Sequence, residues 1–199
     1  MNILIVSEMP WDKTAGGGQV NQMLSRYFVR AGHEVNRYTL DEAFGRRGRF
    51  TQYFGNALFP LKATRYVRSQ GEKYDLIQAG QGALPVTKQY LQTDALIVYH
   101  SQGLYHLHRK VDERVPTRNE RRGSLLNRVA GAISRAVTNL PWMINRSIQA
   151  SDVVAVMNSD EYRYIETHFP EKRIVLKPNG LSGSRLNALR QAYTDGDER

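Results

Sequence analysis

Short apolar runs alternating with helical periodicity constrain this chain more than any other feature. "NILIV" (Asn2–Val6) is continuously apolar, the pattern of a strand buried on both faces of a parallel sheet. Val20, Met23, Leu24, Tyr27 and Phe28 follow at spacings of three and four, which predicts one apolar face of a helix. Gly32 in "RAGHEV" is a stop for that helix, because glycine adopts the left-handed conformation past a last turn without strain. "EVNRYTL" (Glu34–Leu40) then leads into a second strand, so a βαβ unit starts at residue 2. The alternation continues. "YDLIQAG" (Tyr74–Gly80), "ALIVYH" (Ala95–His100), "SDVVAVM" (Ser151–Met157) and "RIVLK" (Arg173–Lys177) read as further strands. Helical segments are expected near Pro85–Leu91 and through Glu161–His168. Strands and helices in this order predict an α/β fold with a doubly wound parallel sheet and helices on both faces.

A chain of 199 residues with 41% apolar residues is long enough to bury a full core without covalent staples. It has no cysteine, which excludes disulfides and thiolate chemistry and leaves the redox compartment open. The opening "MNILIVSEMPWD" has no basic leader and no apolar stretch of signal-peptide length. No window approaches the ~20 apolar residues of a membrane span. The expectation is a soluble cytoplasmic protein. There is no repeat at solenoid periods and no low-complexity tract.

The net charge of +9 suits an anionic partner such as nucleic acid, a membrane surface or a phosphorylated substrate. Its distribution is uneven. Residues 41–73 carry seven basic against three acidic residues, and residues 105–150 carry nine against three. These two excursions from the strand–helix alternation account for the whole excess. "RFTQYFGNALFPLKATRYVR" (Arg49–Arg68) interleaves aromatic residues with arginines, as an interfacial segment does. "LLNRVAGAISRAVTNLPWMI" (Leu125–Ile144) is a second amphipathic stretch. For both, two readings stand side by side: docking on an anionic membrane, or apolar packing on the core beneath a solvated basic face. Charge alone argues for nucleic acid, and no helix-turn-helix, KH or RRM pattern accompanies it.

"DKTAGGGQV" sets Gly16, Gly17 and Gly18 at the mouth of the first helix. Consecutive glycines allow close backbone approach, and a helix N-terminus offers unpaired N–H groups to phosphate or a sugar. The bland reading is an easy turn into the helix; the position after the first strand favours ligand contact. A dinucleotide fingerprint needs G-x-G-x-x-G directly after the strand. Asn21 stands where the third glycine belongs, although Asp41 sits where a ribose-binding acid would, so a nucleotide-cofactor oxidoreductase is a weaker alternative. No G-x-x-x-x-G-K-[ST] sequence is present.

An opening strand, a proline-containing loop, "GGG", a helix and "RAGHEV" together resemble the start of the two-Rossmann (GT-B) retaining glycosyltransferases of family four. "YDLIQAG" resembles that family's third core strand, and "LIVYHSQG" the strand ending in a histidine at the acceptor pocket. "RSIQASDVVAVMNSDEYRYI" is similar to the helix, strand and step into the next helix, and "IVLKPNG" to the linker closing the N-terminal domain. The resemblance covers about residues 1–180 and implies a Rossmann-like, acceptor-side half of such an enzyme. In that family a second Rossmann domain, binding the nucleotide-sugar donor, follows the linker. Here "LSGSRLNALRQAYTDGDER" follows, so residues 181–199 are expected to form a hinge remnant and a short helix striped by Leu181, Leu186, Leu189 and Tyr193. The family's pair of donor-domain glutamates has no counterpart; Glu34 and Glu42 have the spacing but lie in the wrong place.

The resemblance implies that His100 contacts the transferred sugar, that Gly16–Gly18 meet donor phosphates or acceptor, and that the donor site belongs to another domain. A strand-end histidine can also serve only as a hydrogen-bonding cap, but its position favours function. Gln102 follows it, able to approach a polar ligand. Tyr105 is a candidate to stack on an acceptor sugar or to pack as a surface residue. Glu8 and Trp11, just past the first strand, are candidates for the acceptor pocket. His106 and His108 diverge on a helix and no cysteine joins them, so no metal is expected, and no cofactor. The implied function is retaining transfer of a sugar from a nucleotide-sugar donor to a glycan or lipid-linked acceptor, with this chain inactive alone. The competing class is a non-catalytic module holding a glycan or an anionic lipid.

Overall fold

A computed structural model describes residues 1–9, 11–12, 16–45, 49–101, 103 and 141–178. Six strands form one sheet: β1 (Asn2–Ser7), β2 (Glu34–Thr39), β3 (Leu76–Ala79), β4 (Leu96–His100), β5 (Val153–Val156) and β6 (Arg173–Leu176). The order is β2-β1-β3-β4-β5-β6 and every pairing is parallel. The fold is α/β and Rossmann-like, as the alternation predicts. Among the described residues no helix is long and apolar enough to cross a membrane. The stretch expected to follow the linker, 181–199, lies outside the described residues, as do most of 105–150.

The helices are α1 (Gly16–Arg30), α2 (Leu40–Phe44), α3 (Arg49–Gln70), α4 (Lys88–Leu91), α5 (Pro141–Ala150) and α6 (Ser159–His168). The step from β1 to β2 runs one way across the sheet and every later step runs the other. Right-handed crossovers therefore set α1 on one face and the later helices on the opposite face. Packing agrees. Leu4, Val6, Ile77 and Ile97 bury against Phe59, Ala63 and Val67 of α3 and Leu91 of α4. Tyr99, Val154 and Val156 bury against Ile144 and Ile148 of α5 and Ile165 of α6.

Local chemistry sets the helix ends. At α6, the Asn158 side chain accepts from Glu161 N at 2.9 Å, and Glu161 Oε2 accepts from Met157 N at 2.9 Å. Thr39 and Glu42 form a reciprocal capping box at α2. Past α1, Gly32 has φ +82°, with Gly32 N donating to Val29 O and His33 N to Phe28 O, the double bond of a Schellman stop.

Two expectations need correction. The basic stretch 41–73 is not an excursion from the alternation but the β2–β3 crossover, α2 and α3, with Pro60 inside the long helix. In it Phe59 is fully buried and Tyr66 stacks on Tyr38 at 4.1 Å, so for these two aromatics the core-packing reading holds. The apolar stripe of α1 is also not its buried face. Gly18, Asn21 and Gln22 are the buried residues of α1, while Leu24 and Phe28 are half-buried and Tyr27 is 68% exposed. On the α1 face Ile3 and Ile5 of β1 are fully buried, and α1 also contacts β2.

Candidate functional site

In a parallel sheet all carboxyl ends lie on one edge, and here that edge gathers most of the predicted residues. Glu8 follows β1, α1 begins at Gly16, and His100 ends β4. Among the described residues, an added Cβ on Gly16 would meet no atom within 4 Å. That glycine is therefore not demanded by packing, and Gly16, Gly17 and Gly18 together form the first turn. Asn21, the residue that breaks the dinucleotide fingerprint, is buried and donates to Ser7 Oγ at 2.9 Å. It ties α1 to the end of β1. Asp41, the other remnant of a cofactor site, accepts from Trp11 N at 3.4 Å. Trp11 also lies under the Arg37 guanidinium at 5.0 Å, which makes it a packed part of the β2 side of the edge.

Glu8 turns inward. Its Oε2 is buried without a hydrogen-bond partner, and an added Cβ on Gly80 would stand 2.6 Å from that atom. A larger residue at position 80 would push the carboxyl group aside. Burial pushes the Glu8 carboxyl up from 4.5 to about 7, only partly opposed by its own backbone hydrogen bond. The Tyr99 hydroxyl is likewise buried without a partner. Burial drives it well above its ordinary range, and the charges of Glu8 and Glu161 add to the effect.

His100 is buried too, 1% exposed. Gln78 Nε2 lies 3.5 Å from its Nδ1, and its Nε2 has no partner. Burial, helped by the charge of Lys177, lowers the imidazole to about 4, so it is neutral at physiological pH. With the Gln78 amide nitrogen as the donor, Nδ1 accepts and the proton sits on Nε2. The next residue, Ser101, is fully buried, its N donating to Ala155 O at 2.9 Å and its Oγ accepting from Gly103 N at 3.2 Å. The Gln81 amide donates to Gly103 O and so joins the ends of β3 and β4. Gln102, Tyr105, His106 and His108 lie outside the described residues.

His100 does not point along the edge but into a groove of about 580 Å³ on the α1 side of the sheet. Leu24 and Phe28 of α1 form one wall, and Leu96, Val98, Val153 and Val175 form the floor. Gln78, His100 and Lys177 line it as well. Burial lowers the Lys177 ammonium from 10.5 to about 8, and among the described residues no carboxylate pairs with it. Sequence reasoning missed Gln78, Tyr99 and Lys177. The available signal was a glutamine inside "LIQAG", since a polar side chain in a doubly buried strand needs a reason. No protein-family model matches the chain, and no curated protein matches it.

Proposed function

We propose that this chain is the acceptor-side half of a retaining sugar-transfer enzyme whose nucleotide-sugar donor is bound by a separate domain. The observation that carries the reading is the shared edge. A glycine-led helix N-terminus, a buried acid near neutrality and a neutral histidine all follow the carboxyl ends of β1 and β4. Ligands of doubly wound sheets bind at that edge. The N–H groups of Gly16–Gly18 suit a diphosphate oxygen, which carries the charge released on transfer. His100 ends β4 at this edge but turns into the groove beside it; neutral with its proton on Nε2, it suits donation to a sugar hydroxyl that reaches into that groove. Glu8 exchanges protons near neutral pH and so suits the hydroxyl that must lose one.

The acceptor is a glycan or a lipid-linked sugar, and the outer face of α3 is the docking surface for an anionic membrane. Leu58, Leu61, Arg65 and Arg68 follow at helical spacing and are all exposed, an apolar and basic stripe suited to an interface. Flotation with anionic vesicles should be salt-sensitive and weakened in Arg65→Glu.

Saturation-transfer NMR with mono- and oligosaccharides, paired with calorimetry against uridine and guanosine diphosphates, tests the main reading. The expected result is glycan binding that His100→Ala removes, with nucleotide binding weaker than micromolar. Micromolar affinity for a nucleotide, with no glycan bound, would overturn the acceptor-side assignment.

A further inference from the structure

We propose that the groove on the α1 side of the sheet binds a linear amphiphile with an acidic head, an acyl carboxylate, its chain along the strands and its head between His100 and Lys177. The inference rests on the groove and not on the sugar-transfer reading; since both use His100 Nε2–H, a bound acid would compete with a sugar hydroxyl there. Leu96 and Val175 are each 42% exposed on this face and Tyr27 of α1 is 68% exposed beside it. An apolar sheet face in water is costly to leave uncovered. The volume of about 580 Å³ falls within the range of roughly 300–1,000 Å³ typical of small-molecule sites. From Arg173 to Lys177 the floor runs about 13 Å at ~3.3 Å per residue, and it spans β3 to β6, room for a chain laid along the strands.

The polar end selects the head. His100 is buried, its Nε2 has no partner, and it lines the groove. Lys177 lines the same groove and its charge reaches His100. A neutral N–H donor and a partly desolvated ammonium with no carboxylate beside them among the described residues form a site complementary to an anion. Gln78 completes this end by holding Nδ1 as the acceptor, which aims the proton outward from Nε2. A carboxylate there satisfies the orphan donor and the ammonium together, each through a charge-assisted hydrogen bond. A neutral head satisfies only the first.

The test uses the full 199-residue chain and displacement of the fluorescent acid cis-parinarate by dodecanoate and by dodecanol. Dodecanoate is expected to displace the probe at micromolar concentration, and dodecanol less well. Lys177→Gln should weaken dodecanoate about tenfold while leaving dodecanol unchanged. Leu96→Glu, at a half-exposed position on the groove floor, should weaken both, with urea midpoints checking that the variant stays folded. Two results overturn the proposal: no displacement by dodecanoate over its soluble range, as when another part of the chain covers this face, or equal losses for acid and alcohol in Lys177→Gln.

Discussion

Replacing Glu8 with glutamine should make the protein more stable, by an amount that grows with pH. The Glu8 carboxyl rises from 4.5 in the unfolded chain to about 7 in the fold because burial disfavours its charged form. Between those two values the folded protein holds a proton that the unfolded chain has released. Stability therefore falls as pH rises through this window and stays low above it. At ~1.4 kcal/mol per pH unit the loss amounts to about 3 kcal/mol. Glu8 is half-buried with its Oε2 out of water, so this figure is an upper one. His100 works in the opposite sense. Its folded value of about 4 lies below the ordinary 6.5, so the unfolded chain binds more protons between them, and stability rises with pH over that range by a similar amount. The two windows overlap, and the wild-type profile should be nearly flat from about pH 4.5 to 6.5. Glu8→Gln removes one arm and leaves the other. Urea midpoints between about pH 4.5 and 6.5 should give a steep rise for Glu8→Gln, a steep fall for His100→Gln, and a flat line for the double variant. The amide adds its own constant offset, which cancels in differences between pH values. A Glu8→Gln advantage that is the same at pH 4.5 and pH 8 would refute the buried-carboxyl reasoning.

Gly80→Ala should displace the Glu8 carboxyl, because the new Cβ would stand 2.6 Å from Oε2; carbon-detected NMR titration should find that carboxyl closer to 4.5. Asp152 Oδ2 accepts from both Ile97 N at 2.8 Å and Lys88 Nζ at 3.1 Å. Asp152→Ala should cost about 2 kcal/mol through the unsatisfied amide, whereas Lys88→Met should cost under ~1 kcal/mol because that pair is partly exposed; denaturant midpoints of the two variants check the ranking. Asn158→Ala removes the cap of α6 and should lower stability by about 1 kcal/mol, with Asn158→Asp restoring it.

All six strands were legible in the sequence because each is a short apolar run, and burial on both faces writes that run directly. β1 runs one residue further, to Ser7, while most boundaries moved inward by one or two residues. Tyr74, for example, is buried but precedes β3 (Leu76–Ala79). Residues 41–73 were misread for a different reason. Charge on the outer face of α3 masked Phe59, Ala63 and Val67, which recur every four residues and bury fully. The periodicity was present, but Arg65, Arg68 and the aromatic residues around them pointed to an interface instead.

The site divides along the same line between local and register-dependent information. Glu8, Gly16–Gly18 and His100 could be named because each directly follows or ends a recognisable element. Gln78 and Lys177 could not, because their meaning depends on which strands become neighbours. Register pairs Gln78 with Val98 and Val98 with Val153, and Ala155 with His100 and Val175. Alternation along β3, β4 and β6 then turns Gln78, His100 and Lys177 to one face. That face is the one α1 lies on, since β1 to β2 is the only crossover among the described strands that returns on that side. Leu24, Tyr27 and Phe28 are therefore an apolar stripe that stops at the wall of a groove instead of in a core. A helical stripe read from sequence reports which side chains share a face; the order of the strands decides whether that face meets a core or a ligand.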